Sequence, residues 1–266
     1  MHNESSRKYS IAVILLQPQC NMTCSFCVTE NDFDRMEYSE ALRLLDHLRD
    51  DGIRTVIFGG GEPFAWPGDL IALASQAKAR GMIVQVGTNG VDLPAGFSGL
   101  TCIDRWILPL ESVAPNIHNA MRQWRGGHHG TIVERLGELQ RACRTVTVST
   151  VLTAVNIDGV ADLARYLREY HSVAENVHAW HLYQFLPIGR GGERSKAELA
   201  IPPEQFEAAC ESVRCDELPF SVFRRADMYR PRTIAFYWSK DGILRSGSEA
   251  LHGVAGHRTR GAFEIP

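Results

Sequence analysis

The chain has 266 residues, of which 44% are apolar and 22% charged, and carries a formal net charge of −3. This fits one large or two small globular domains with a sizeable core and excludes a disordered chain. So weak a charge supplies no global field for nucleic acid or an anionic membrane, and neither is an expected partner.

The opening MHNESSRKYS is polar, and the apolar run Ile11–Leu16 is too short to span a bilayer. The default expectation is a cytoplasmic protein. There, seven cysteines are read as thiols or metal ligands rather than disulfides. Three lie together at Cys20, Cys24 and Cys27; Cys102, Cys143, Cys210 and Cys215 are scattered.

In chain order, Ile11–Leu16 reads as a strand buried on both faces, because it is apolar throughout. It runs straight into the three cysteines. Leu42, Leu45 and Leu48 mark a helix over Ser39–Arg49, with Ser39 as N-cap and Gly52 as stop. Thr55–Phe58 is a strand ending in Gly59-Gly60-Gly61, and Asp69–Arg80 is a helix stopped by Gly81. Met82–Val86 is a strand leading to the turn Thr88-Asn89-Gly90. Strand Arg105–Leu110, helix Thr131–Cys143, strand Thr145–Leu152, helix Ile157–Tyr170 and strand His178–Leu186 follow. After the loop Gly189–Gly192 comes a helix over Pro203–Val213. Phe220–Phe223, Thr233–Trp238 and Gly242–Leu244 read as strands, with Lys240-Asp241-Gly242 as a tight turn.

About six βα units predict an α/β fold, a parallel sheet with helices outside that forms a barrel or an open partial barrel. Residues 9–200 form the barrel core. Residues 201–266 add a helix and a small β extension covering it.

The spacing C-x3-C-x2-C places three thiolates in one short loop, enough to hold three irons of a cubane cluster. The fourth iron then has no protein ligand from this loop, and an open metal position is where a cosubstrate binds. A zinc site would need a fourth ligand and more often comes as two separated pairs.

This loop resembles the signature of the radical S-adenosylmethionine (SAM) superfamily, with Phe26 as the aromatic residue before the last cysteine. The resemblance covers roughly residues 9–190 and implies a partial (β/α)6 barrel. Gly60-Gly61-Glu62-Pro63 resembles the element that receives the methionine ammonium of SAM, for which Glu62 and the glycine carbonyls are acceptors. By the same resemblance Asn89, Glu111 and Ser112 meet SAM. Thr150 and Asn156 take the positions near its ribose and carboxylate. Arg122, in His118-Asn119-Ala120-Met121-Arg122, becomes a fork for its carboxylate. Leu186, in the Pro187-Ile188-Gly189-Arg190-Gly191 region, lies where haem-modifying and cofactor-synthesis members meet the adenine.

The implied cofactors are a [4Fe–4S] cluster and SAM. The implied reaction is reductive cleavage of SAM to a 5′-deoxyadenosyl radical, which abstracts hydrogen from a second substrate. A low-potential donor such as flavodoxin or ferredoxin is the expected partner.

With no cysteine after Cys215, a single-cluster enzyme is expected. Arg224, Arg225, Arg230 and Arg232, interleaved with Tyr229, loosely resemble a basic segment of the viperin-like members, which act on nucleoside triphosphates. They make a small polar substrate, a nucleotide or sugar, the leading expectation. Arg225, Arg230, Arg232, His129 and His181 are its candidate contacts. Alternatives are a modifier of a ribosomally made peptide or of tRNA, and a non-catalytic iron–sulfur or zinc-binding protein.

Overall fold

A computed structural model of the chain describes residues 9–213, 217–226 and 233–247. Its first strand, β1 (Ile11–Leu15), is not buried on both faces. Ala12 and Ile14 are wholly buried, whereas Ile11 and Val13 are half-buried. One face of the strand packs on helices and the other looks into an open interior. The same alternation recurs in β3 (Thr55–Gly59) and β5 (Arg105–Pro109), where Val56, Phe58, Trp106 and Leu108 bury outward against the helices.

The remaining strands are β2 (Thr23–Cys24), β4 (Ile83–Gly87), β6 (Arg122–Gln123), β7 (Val146–Leu152), β8 (Val177–Gln184), β9 (Ser221–Arg225), β10 (Ile234–Lys240) and β11 (Ile243–Gly247). The helices are α1 (Tyr38–Asp50), α2 (Leu70–Ala79), α3 (Pro115–Met121), α4 (His128–Arg141), α5 (Val160–Ala174), the short α6 (Gly189–Gly192) and α7 (Lys196–Leu199), and α8 (Pro203–Ser212).

Helix boundaries follow local chemistry. In α1, Ala41, Leu44, Leu45 and Leu48 repeat at helical spacing and are wholly buried. Each leucine contributes roughly 1.5–3 kcal/mol. The N-cap is Glu37, two residues ahead of the expected Ser39. Asp69 caps α2 by accepting the Ala72 N–H at 2.9 Å. α4 starts at His128, ahead of the expected Thr131, and α5 starts at Val160 after a single 3-10 turn at Ile157–Gly159. α3 and the ribbon β2–β6 have no counterpart in the periodicity of the sequence, because both are too short to show a repeat.

The sheet runs β11-β10-β1-β3-β4-β5-β7-β8-β9. β1, β3, β4, β5, β7 and β8 are parallel and form the expected partial barrel. It does not close: β9 and β11 are its two edges. The C-terminal extension is divided between these edges. β9 adds in parallel to β8, while β10 adds in parallel to β1 and turns back as β11. The Asp241-Gly242 turn has φ of 56° and 71°, the left-handed pair of a type I′ hairpin. No helix of the described residues is long and apolar enough to cross a membrane.

Candidate active site

The parallel strands all end on one side, where barrel folds carry their sites, and the loops there enclose a cavity of about 380 Å³. Cys20, Cys24 and Cys27 line it, together with Gly60, Gly61 and Asn89. The cysteine loop is gripped by neighbouring strand ends. Gly61 N–H donates to Gln17 O at 2.7 Å and Glu62 N–H to Gln19 O at 2.9 Å. A Cβ at Gly61 would stand 1.8 Å from Gln19 O, so only glycine permits this approach. From the end of β8, Gly191 N–H donates to Cys27 O at 3.0 Å, and a Cβ there would stand 2.3 Å from Cys24 O.

The ribbon places Arg122 directly opposite Cys24. The guanidinium of Arg122 lies 3.7 Å from Cys24 Sγ and over the Phe26 ring, 4.9 Å from its centroid. Its Nε donates to Glu111 Oε1 at 2.7 Å. Burial pushes the Cys24 thiol up to about 11, against the pull of Arg122, and raises that of Cys20. A metal would have to displace these protons in order to bind.

These residues fit an iron–sulfur group. The donors are soft thiols on one glycine-gripped loop beside a cavity. Among the described residues, no three His, Cys, Asp or Glu side chains converge as the ligands of a single ion do, and a cubane asks instead for one sulfur per iron.

Residues 14–167 match the family described as the radical SAM superfamily. The chain belongs to this superfamily. It is 30% identical to the probable GTP 3′,8-cyclase of Sulfolobus acidocaldarius, over 68% of this chain and 57% of that protein. It is 21% identical to the S-adenosylmethionine-dependent nucleotide dehydratase of Flammeovirga pacifica, over 70% of this chain and 66% of that protein. The crystal structure of Streptococcus suis SuiB bound to S-adenosylmethionine superposes with a TM-score of 0.71 at 14% identity, over 89% of this chain and 59% of that one. The chain spans about half the length of the first curated relatives it matches. The cofactors of this superfamily are a [4Fe–4S] cluster and SAM.

Several residues singled out in the sequence do not face the cavity of this radical SAM protein. Glu62 is buried, and its carboxylate accepts from Phe64 N–H at 3.1 Å, Thr88 Oγ1 at 2.7 Å and Asn89 N–H at 2.8 Å. It straps the end of β3 to that of β4, and only the glycine backbone beside it reaches the cavity. Pro63 is buried in the turn that follows. Glu111 is wholly buried and holds Arg122 and the Val151 N–H, at 2.7 Å each. Ser112 caps the turn into α3 by accepting the Ala114 N–H. Thr150 points outward, donating to Leu110 O at 2.6 Å and accepting from Trp180 Nε1 at 2.9 Å. Its neighbours Ser149 and Val151 line the cavity instead, as strand alternation requires. Asn156 is buried, donating to Glu111 O at 2.8 Å and Val151 O at 3.0 Å. Arg122, Asn89, Phe26 and Leu186 do line the cavity.

His129 packs edge-on against His118, off the cavity. His181 lies on the interior face of β8, one step below the cavity-lining Tyr183, with Nδ1 3.0 Å from the Tyr183 hydroxyl. Arg225 is in register with Tyr183 on β9 and lies over the Phe223 ring. Arg230 and Arg232 lie outside the described residues.

Two features escape sequence reasoning. Arg190, after β8, reaches Cys27. And two histidines bridge the site from within: Glu111 N–H donates to His118 Nδ1 at 3.1 Å, His118 Nε2 faces His128 Nδ1 at 2.8 Å, and His128 Nε2 faces Asn89 O at 2.7 Å. The two ends fix the tautomers. The donor at Glu111 makes His118 Nδ1 an acceptor, and the acceptor at Asn89 makes His128 Nε2 a donor.

Proposed function

We propose that this enzyme cleaves SAM reductively at a [4Fe–4S] cluster held by Cys20, Cys24 and Cys27, and uses the resulting 5′-deoxyadenosyl radical to take hydrogen from a small polar, anionic substrate. The observation that carries the reading is the cavity itself: it brings all three thiols beside the Gly60-Gly61 backbone and opens toward the interior face of the sheet. The cluster, when bound, supplies the electron that breaks the sulfonium bond. The chain's own residues bind and orient. Carbonyls of Gly60 and Gly61 are acceptors for an ammonium, Arg122 is a cation for a carboxylate, and the apolar wall of Phe26, Val151 and Leu186 excludes water.

The substrate class is supported by the interior face. Positions that alternate with the buried outward residues carry Gln85, Arg105, Thr147, Ser149, His181 and Arg225 on β4–β9, and no Asp or Glu on any described strand of the barrel. The opposite wall, from β1, β3 and β10, is apolar at Ile11, Val13, Leu15, Ile57, Phe236 and Trp238, with Thr55 and Lys240 at its ends. A nucleotide or sugar phosphate suits such a surface, with its base or carbon skeleton against the apolar wall. Two curated relatives are named for nucleotide substrates. Flavodoxin or ferredoxin would supply the electron.

Anaerobic reconstitution followed by dithionite and SAM tests the first step. The expected outcome is 5′-deoxyadenosine from the native chain and none from Cys24→Ala. A native sample that carries a full complement of iron and sulfide yet releases no 5′-deoxyadenosine would sink the reading.

A further inference from the structure

Arg190 follows β8 and lines the same cavity as the three cysteines. Its Nε lies 3.3 Å from Cys27 Sγ. Its Nη1 donates to Pro18 O at 2.6 Å and to Asn31 Oδ1 at 3.2 Å. The group is therefore held against the cysteine loop by two further contacts, and the glycines around it explain how. Gly189 has φ of 72° and comes so close to Val28 that a Cβ would stand 2.4 Å from its carbonyl; Gly191 lies equally tight against Cys24 and Cys27. The Gly-Arg-Gly turn can thus lie flat on the loop while the side chain between the glycines reaches Cys27.

Arg122 makes a second guanidinium contact with a cysteine sulfur, but the two cations differ. The charge of Arg122 is matched by the buried carboxylate of Glu111 at 2.7 Å. Arg190 has no carboxylate partner among the described residues; its acceptors are a carbonyl, an amide and the thiol sulfur. It is the uncompensated positive charge at this loop. It is half-buried and lines the cavity, so salt screens it less than a fully exposed charge.

A cation and an N–H donor directed at a cluster sulfur stabilise the state with one more electron, because potentials of such clusters follow net charge and hydrogen bonds to sulfur. We propose that Arg190 is a positioning residue that raises the reduction potential of the cluster through Cys27, bringing it within reach of a biological one-electron donor. The inference rests on the reading of Cys20, Cys24 and Cys27 as cluster ligands.

The test is an EPR-monitored redox titration of the anaerobically reconstituted full chain, with iron and sulfide counted in each sample. In Arg190→Gln, the reduced-to-oxidised ratio at a fixed solution potential is expected to fall about tenfold, a midpoint about 59 mV more negative for a one-electron couple. Arg190→Lys keeps the charge and is expected to recover most of that loss. Asn31→Asp keeps Arg190 in place but sets a carboxylate beside it, and is expected to move the midpoint in the same negative direction. The exposed neighbour Arg194→Gln is expected to leave it unchanged. A purely structural role would lower the iron content while the loaded fraction titrated as native. Midpoints of loaded Arg190→Gln and Asn31→Asp equal to the native value, or more positive, overturn the proposal. Should Arg190→Gln fail to load, Asn31→Asp alone decides it. Failure of the underlying reading looks different: the native chain would then hold no reducible cluster at all.

Discussion

Gly61 and Gly191 press on the cysteine loop from two different strand ends, and each leaves less room than a methyl group needs. Gly59, one strand residue before the pair, has nothing within 4 Å of where its Cβ would be. Gly61→Ala should therefore force the loop off Gln19, break the 2.7 Å and 2.9 Å backbone bonds there, and sharply reduce iron retention after reconstitution. Gly59→Ala should retain iron, since it adds a methyl group into open space. Equal iron content in the two variants would show that the close approach is not what holds the loop. At this scale the sequence was informative wherever a residue acts through its backbone or its spacing, as with the three cysteines and Gly60-Gly61. It was less so for side chains such as Glu62, Ser112 and Thr150, since their type does not reveal which way the chain turns them. Strand alternation would have exchanged Thr150 for Ser149, once the register was known. Nothing in the sequence pairs Arg190 with Cys27, because that contact joins loops 163 residues apart.

Between elements, the buried histidine bridge ties the loop after β5 to the loop after β4 through the middle of α3 and the start of α4. Its two ends are groups that the site depends on. Glu111 holds Arg122 against Cys24, and Asn89 donates to Asn21 Oδ1 at 2.6 Å and lies 3.7 Å from Cys20 Sγ. Burial, then the charge of Arg122, pushes His128 down to about 4 and His118 down to about 2, from 6.5 for a free imidazole. Between pH 6.5 and 4 the unfolded chain thus binds protons that the folded chain refuses, and stability falls as pH falls through that window. His128 alone accounts for on the order of 3 kcal/mol. His128→Gln keeps an acceptor for His118 and a donor for Asn89 but cannot titrate. Urea unfolding from pH 7 to 4.5 should show a shallower decline for this variant than for the native chain, even where its stability at pH 7 is lower. Identical slopes would place the acid sensitivity elsewhere. The sequence offered His129 as a substrate contact, but the bridge is built by its neighbour His128 with His118, on another helix that the sequence pattern does not display.

Across the whole molecule, the repeating βα pattern was enough to predict a parallel sheet with helices outside, since each unit is long enough to carry its own period. The fate of the C-terminal strands was not legible, because edge pairing is decided by which strand is left open rather than by local pattern. β10 takes the open edge of β1, pairing from Ile11 with Ile234 to Ile14 with Tyr237. Ala235 and Tyr237 complete the helix-facing core and Phe236 lines the cavity. The end of β10 also fastens the segment that follows the cysteines: Asp34 N–H donates to Ser239 O at 2.7 Å, and Lys240 Nζ lies 2.7 Å from Asp32. The exposed ion pair is worth little by itself, whereas the strand pairing and its buried side chains are not. A chain ending at Ala226 would leave β1 as a bare apolar edge, prone to aggregation. It should melt about 10 °C or more below the native chain and lose iron on desalting. A chain ending at Lys240 keeps β10 and both contacts to the post-cysteine segment, and should retain iron with a drop of only a few degrees. If the shorter chain kept both its melting temperature and its iron, β10 would be an ornament of the barrel edge rather than the strand that completes the cavity wall.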